Sequence, residues 1–485
     1  MIPTIRLSLL LAASLSWCAG PLVSAEIIPP ANLFRDQQFL RDFVGSYGFL
    51  SDVEPKVSSA EQSLLATVRG SFEQGKFAEA ERQLTDFIRQ VEKPSDPATP
   101  VAEISPAMVF VLGNLYFQAD RPDEARRAFQ EAIRRFPRFR RAHTNLAYLH
   151  VSQNRLDEAL PMLQKSIELG ETSPRVFGLL GYVHLSRKNS LAAENAYRYA
   201  MLTDPQSKDW KIGLAQALTA QEKHAEAASL LGSLIEENPN DRQLWLLQTN
   251  AWMAMERKDR AILNLETLRV KGIADEANLN LLGNLHLDAG EPQLALLAYL
   301  AATEKAQSLD VNRALKCARI LNDYGFPEKA ATLVQAIRTK LGANPPADVA
   351  TSLLLTEVRI SQQLGNSNET SRLLAKLLEL NPANPEVLLE TARHKDNLAR
   401  EETDDAARAN LVAEARTHYQ LAAKHDATAY AANLALGQLL VRERRYPDAL
   451  THLQAALQLK KSDNLEQYVS RVRRAADRQE DKLKK

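Results

Sequence analysis

An alanine returns along this chain with a fixed period. Ala125, Ala159, Ala193, Ala227, Ala261 and Ala295 follow one another every 34 residues. Ala330 comes 35 residues later, Thr370 takes the place after a further 40, and Ala415 and Ala449 follow after 45 and 34. Around each lies the same company. Twelve residues upstream stands a small residue: Gly113, Ala147, Gly181, Ala215, Gly283 or Gly437. Four downstream stands a bulky one, among them Phe129, Leu163, Tyr197, Leu231, Tyr299 and Leu453. Twelve downstream several units carry a proline: Pro137, Pro205, Pro239 and Pro382. Each interval holds two stretches with apolar residues at i, i+3, i+4 and i+7, the period of a helix and not of a strand.

The pattern has a steric meaning. Small residues at the upstream and central positions let two antiparallel helices approach closely, and the bulky ones fill the space toward the next pair. Proline lacks the backbone donor that would continue the second helix. One such pair leaves an apolar face open, and only stacking closes it. The expected fold is therefore all-α, an α-solenoid of about eleven helix-turn-helix units over residues 61–463.

Leu112-Gly113, Tyr116, Ala125, Phe129, Ala132 and Pro137 make the chain resemble the tetratricopeptide repeat family. The resemblance runs from Leu64 to Lys461 and implies a right-handed superhelix that serves as a binding scaffold. The first unit, centred on Ala80, is followed by a Pro-rich joint at Lys93–Pro106. The charged insert Arg400–Asn410 in the tenth unit should lengthen a helix. Residues 464–485 read as a C-terminal capping helix with Leu465, Tyr468, Val472 and Ala476 turned inward.

The amino-terminal part differs from the repeats. Arg6, the apolar run Leu7–Leu15 and the small-residue exit Val23-Ser24-Ala25 have the form of a secretory signal peptide over residues 1–25. Anchoring as a lipoprotein through Cys18 is disfavoured, because Trp17 is too large for the position before a lipidated cysteine. The expected location is therefore periplasmic, after cleavage near Ala25. Cys317 then stands alone in a helical apolar stripe and reads as a small buried hydrophobe. Residues 26–60 contain Phe34, Phe39, Phe43, Tyr47 and Phe49 with a Gly45-Ser46-Tyr47-Gly48 turn. They read as an aromatic extension that either caps the first repeat or docks a partner.

Composition narrows the function classes. With 60 Lys and Arg against 60 Asp and Glu, the chain has no surplus of positive charge for phosphate backbones or anionic membranes. No later apolar run reaches the roughly 20 residues of a spanning helix. There is no phosphate-binding glycine loop, no cysteine pair at zinc spacing and no His-Glu-x-x-His. His150, His184 and His286 share one repeat position. Packed helices lie about 8–10 Å apart, too far for equivalent residues to converge on one ion. No catalytic, cofactor or metal residues are assigned, and the chain is not read as an enzyme.

The resemblance places the first helices of successive units on an inner curve, where residues near the small position face ligands. That register assigns Phe110, Asn114, Phe117, Tyr148 and Tyr182 to the groove in the early units. Gln216, Asn250, Met253, Asn280 and Asn284 come next, and Arg319, Arg359 and Arg393 in three consecutive late units. Amides suit the backbone of an extended peptide and arginines suit carboxylates. The carboxylate-clamp type of the family, which grips chaperone tails, matches at Asn114, Asn145 and Arg175 but meets Phe110 and Leu179 where it needs bases, and is set aside.

Segments such as Phe110–Phe117 and Trp245–Ala251 look like exported bacterial repeat proteins described as components of the TonB energy-transducing system. That likeness implies a periplasmic adaptor for a protein or peptide partner in the envelope. The alternative is an accessory protein for glycan, peptidoglycan or exopolysaccharide export, with Tyr148 and Tyr182 stacking on sugars.

Overall fold

The computed structural model describes residues 52–92 and 103–483. The signal peptide, Cys18 and the aromatic segment from Phe34 to Phe49 lie outside them. Among the described residues there are twenty-three α-helices and no strands. Two compact units divide between Ile273 and Ala274.

The amino-terminal unit holds six helical hairpins. They are α1 (Ser59–Glu73) with α2 (Phe77–Glu92), α3 (Pro106–Gln118) with α4 (Pro122–Arg135), and α5 (Arg140–Ser152) with α6 (Leu156–Glu168). Then come α7 (Pro174–Ser186) with α8 (Ser190–Thr203), α9 (Lys208–Thr219) with α10 (His224–Glu237), and α11 (Arg242–Ala254) with α12 (Lys258–Val270). The carboxy-terminal unit holds five more and a last helix. These are α13 (Glu276–Asp288) with α14 (Pro292–Lys305), α15 (Val311–Asp323) with α16 (Pro327–Leu341), and α17 (Ala347–Gln363) with α18 (Ser367–Leu380). The final pairs are α19 (Pro385–Glu401) with α20 (Asp405–Ala422) and α21 (Asp426–Arg442) with α22 (Tyr446–Leu459), followed by α23 (Asp463–Leu483). Within each unit the hairpins stack into an all-α solenoid.

The steric reading of the repeat is visible atom by atom. Ala125, Ala159, Ala193, Ala227, Ala261 and Ala295 are all fully buried. A Cβ added to Gly113 would lie 2.7 Å from the Phe129 ring, and one on Gly437 would lie 2.6 Å from Leu453. Tyr197 fills the space between Gly181 on its own hairpin and Gly213 on the next, so one ring joins two repeats. Burying a side chain of this size contributes about 1.5–3 kcal/mol. At Thr370, which replaces the alanine, the buried hydroxyl accepts or donates a bond with Ser361 Oγ at 2.9 Å and donates to the Asn366 carbonyl at 3.0 Å.

Helix ends follow from local chemistry. The helices preceding Pro137, Pro205, Pro239 and Pro382 each stop two residues short of the proline. Ser105 caps α3 through a bond from the Ala107 N–H, with Pro106 at the first helical position. The insert Arg400–Asn410 lengthens both helices of the tenth hairpin, to 17 and 18 residues.

A second periodic feature escaped the sequence reading. The turn between the helices of a hairpin places one residue in the left-handed region: Gly75, Asp120, Asn154, Lys188, Glu222, Glu256, Gly290, Gly325, Gly365 and Arg444. Residue type varies while conformation does not, so no composition signal marks the position. Three-residue loop 402–404 of the tenth hairpin is built differently.

Candidate functional site

The first helices present the groove residues, and the structure sorts the assigned set into three groups. Phe110 and Tyr148 are corrected: they are core residues, 1% and 5% exposed. Phe110 packs against Phe139 with ring centroids 4.9 Å apart and carries the Arg141 guanidinium over its face. It stands three residues before Gly113, and that side of α3 turns toward the neighbouring hairpin.

Asn114, Asn280 and Asn284 are also buried, and each is spent on an internal bond. Asn145 Nδ2 donates to Asn114 Oδ1 at 2.9 Å, linking α3 to α5. Tyr299 donates its hydroxyl to Asn284 Oδ1 at 2.6 Å. Cys317, itself buried, donates its thiol to Asn280 Oδ1 at 3.6 Å. Asn114 and Asn280 tie neighbouring first helices together, Asn284 ties α13 to α14 within its hairpin, and all three amides are engaged internally. Phe117, Tyr182 and Met253 are half-buried.

Gln216 and Asn250 are the two residues brought together at a cavity. It has a volume of about 370 Å³ and lies within the amino-terminal unit. Its walls are Leu185, Lys188, Ser190, Ala215, Gln216, Thr219, Ala220, Leu231, Leu247 and Asn250. Those residues come from α7, α9 and α11, from the second helices α8 and α10, and from the turns at Lys188 and Ala220. Leu185 and Leu231 are buried beneath it. Ser190 of one hairpin and Ala215 and Ala220 of the next are small and leave room at its wall. A mostly apolar hollow with two amides at its wall can hold a bulky apolar side chain while pairing with nearby backbone.

The arginine row lies in the carboxy-terminal unit on α15, α17 and α19, the first helices of consecutive hairpins. Arg319 Nε donates to the Leu315 carbonyl at 3.3 Å. Arg359 reaches Glu386 at 3.4 Å, and Arg393 reaches Glu390 at 2.9 Å. Burial raises the Asp323 carboxyl above its ordinary range, while Arg359 and Arg319 pull it back down. Carboxylates of the same chain engage Arg359 and Arg393, and a ligand carboxylate has to compete with them.

A second cavity of about 440 Å³ lies between α16, α17 and α18. Its bases are largely matched, Arg338 with Glu357 at 2.5 Å and Arg372 with Glu369 at 2.6 Å. Among the described residues no group of three or more His, Cys, Asp or Glu is placed to hold a metal ion. No described helix is long and apolar enough to cross a membrane. Burial lowers the pKa of His150 and of His184, and His286 bonds Glu291 at 2.8 Å.

Comparison with known proteins agrees with this architecture. Models described as tetratricopeptide repeat match residues 110–174, 401–464 and 184–251. A protein of Triticum aestivum named Hsp70-Hsp90 organizing protein is 32% identical over 108 residues, 22% of this chain and 19% of that one. Hsp70-Hsp90 organizing protein 1 of Glycine max is 32% identical over 136 residues, 28% of this chain and 23% of that one. The chain therefore spans less than a quarter of the length of these relatives. A solved tetratricopeptide repeat protein from Parabacteroides merdae aligns with 17% identity and a TM-score of 0.36, over 55% of this chain and 99% of that one.

Proposed function

We propose that this chain, a member of the tetratricopeptide repeat family, is an exported, non-enzymatic scaffold that holds an extended segment of a cell-envelope protein. Repeats of this family are protein-interaction scaffolds, and that coarse role needs no catalytic group. The observation that carries the finer reading is the apolar cavity flanked by Gln216 and Asn250 on consecutive first helices. One bulky side chain of a bound segment enters the hollow, and the amides pair with the backbone beside it. The periplasmic location rests on residues 1–25, and the role in a TonB-type uptake system rests on the likeness of segments such as Trp245–Ala251.

Two other readings have less support. Glycan stacking needs exposed aromatic faces, and Tyr148 is buried. Chaperone-tail binding, which the names of the curated relatives suggest, needs bases where Phe110 and Leu179 are core residues.

The test is direct binding of the periplasmic segment of a TonB-type transducer to the purified chain, with glycan resin in parallel. The proposal expects binding to the transducer segment that Leu247→Arg abolishes, since it drives a charge into the cavity. Retention on glycan resin without transducer binding overturns it. Amino-terminal sequencing of the exported protein should begin at Glu26.

A further inference from the structure

One charge lines the apolar cavity of the amino-terminal unit. Lys188 stands on its wall with Leu185, Leu231 and Leu247, and every other lining side chain is apolar or neutral. The lysine sits in the turn between α7 and α8, exposed, with a φ of 62°. Its own N–H donates to the Leu185 carbonyl at 2.9 Å, and the Asn189 N–H donates to that of His184 at 2.8 Å. The backbone that carries the ammonium is therefore held in place.

The left-handed conformation does not call for a base. Asn and Asp are the non-glycine residues that favour it, because their short side chains bond the local backbone. The equivalent turn residues of this unit are Gly75, Asp120, Asn154, Glu222 and Glu256, so Lys188 is the one base of that row among the described residues. Carboxylates on the neighbouring helices are taken by other bases. Arg187 meets Asp157 at 3.3 Å, and Glu194 takes Lys223 at 2.8 Å and Arg198 at 2.7 Å. Among the described residues the Lys188 side chain makes no hydrogen bond or ion pair, and neither does the Asn250 amide across the cavity.

A group that fills the hollow strips water from the ammonium. Without a counter-charge that loss is a cost, whereas a carboxylate offsets it and forms a charge-assisted hydrogen bond. The lining thus selects a ligand that is apolar at one point and anionic beside it. A sphere of 370 Å³ is about 9 Å across. Along an extended segment alternate side chains share a face and lie about 6.6 Å apart. With one residue in the hollow, the next turns to solvent and the one after it meets the wall.

On the reading that this hollow holds an extended segment, we propose that an Asp or Glu two residues from the apolar anchor of that segment pairs with Lys188. The leucines seat the anchor, Asn250 pairs with the backbone beside it, and Lys188 determines the charge that is accepted. A segment of equal hydrophobicity with a base at that place is rejected.

The test selects random dodecapeptides, displayed with free carboxy termini, on the full chain and on its Leu247→Arg and Lys188→Glu variants. Glu222 and Glu256 hold the same left-handed conformation in the next two turns, so Lys188→Glu keeps the fold. The expected peptides carry a large apolar residue with Asp or Glu two places away, and Leu247→Arg does not bind them. Lys188→Glu should exchange that acid for Lys or Arg. In a synthetic peptide of the selected sequence, changing the acid to its amide should weaken binding to the full chain about fivefold. The same change should leave binding to Lys188→Ala unaltered. Cavity-dependent peptides with no acid at that spacing, or an unchanged selection by Lys188→Glu, overturn the proposal and leave the groove standing. Anchors found only at the last residue also overturn it, since a terminal carboxylate then meets Lys188. Peptides indifferent to Leu247→Arg, or no enrichment at all, remove the groove and the proposal with it.

Discussion

Gly283 faces Tyr299 so closely that a Cβ on the glycine would lie 2.4 Å from the ring. The two residues close the seventh hairpin, and the same ring donates its hydroxyl to Asn284 at 2.6 Å. Overpacking a core position costs about 1–3 kcal/mol, against which the helix propensity of alanine returns up to about 1 kcal/mol. Gly283→Ala should therefore lower the urea midpoint in the wild-type background. In a Tyr299→Leu background the cost should vanish, because the opposing ring is gone. A penalty that survives the double substitution would show that the contact is not its cause.

Seven residues on, Gly290 gives the contrasting case. It has a positive φ of 77° and nothing within 4 Å of a would-be Cβ. Gly290→Ala should cost about 1 kcal/mol through backbone strain alone, unaffected by any change at Tyr299. Unfolding curves of the two single variants and their combinations with Tyr299→Leu separate the two mechanisms.

How far all this was legible depends on what made each feature. Ala125 and its equivalents, Gly113 opposite Phe129 and the prolines after second helices repeat in identity, so the hairpins and their stacking could be read from spacing. The left-handed turn row repeats only in conformation, carried by Asp120, Asn154, Lys188 and Glu222 alike, and was invisible. At the site, register alone put Phe110 and Tyr148 in the groove, but a helix between two neighbours buries more than one stripe. The cavity is lined by small side chains from two adjacent hairpins, Ser190 from one and Ala215 and Ala220 from the next, a relation that no single-repeat pattern contains. Gln216, 6% exposed, and Asn250, half-buried, reach its wall because the repeat register places them on consecutive first helices.

The pH dependence of stability has a local origin in Glu194. Lys223 first, then Arg198 and Gln221, donate to this buried carboxylate and hold its pKa down to about 2. A carboxyl with a depressed folded pKa stabilises above its unfolded value, about 4.3, and loses that contribution as pH falls toward the folded value. Glu194→Gln should cost about 1.5–3 kcal/mol at neutral pH, the range of hydrogen bonds to charged groups. The difference from wild type should shrink steadily between pH 4.5 and 2. A constant difference across that window would contradict this origin.

Residues 52–57 offer a local-stability prediction, because the Val53 carbonyl accepts from the Arg140 N–H at 3.1 Å and Glu54 meets Arg141 at 3.2 Å. Burial raises the Glu54 carboxyl, and Arg141 and then Arg140 oppose that shift. Glu54→Ala removes one partner of a buried ion cluster, a loss of about 3–5 kcal/mol when it is felt in full. The effect should appear locally, as faster proteolysis at Lys56 and faster amide exchange at Arg140, whose N–H donates to the Val53 carbonyl. Helices of the carboxy-terminal unit should keep their protection.

The arginine row yields a binding prediction. Replacing Arg319, Arg359 and Arg393 together by Ala should weaken binding of an acidic envelope segment about tenfold with an unchanged circular dichroism melt. Equal affinity would remove the row from the groove.

The central claim is that the inner face of the amino-terminal unit, at the Gln216–Asn250 cavity, is where an envelope partner is held. Site-specific photo-crosslinking in cells tests it most directly, with the reactive residue placed at Asn250 or at Leu202, which is 77% exposed on a second helix. The account predicts adducts with one envelope protein, mapped to a single segment, from position 250 and not from position 202. Equal adducts from both positions, or partner adducts from 202 alone, would contradict it.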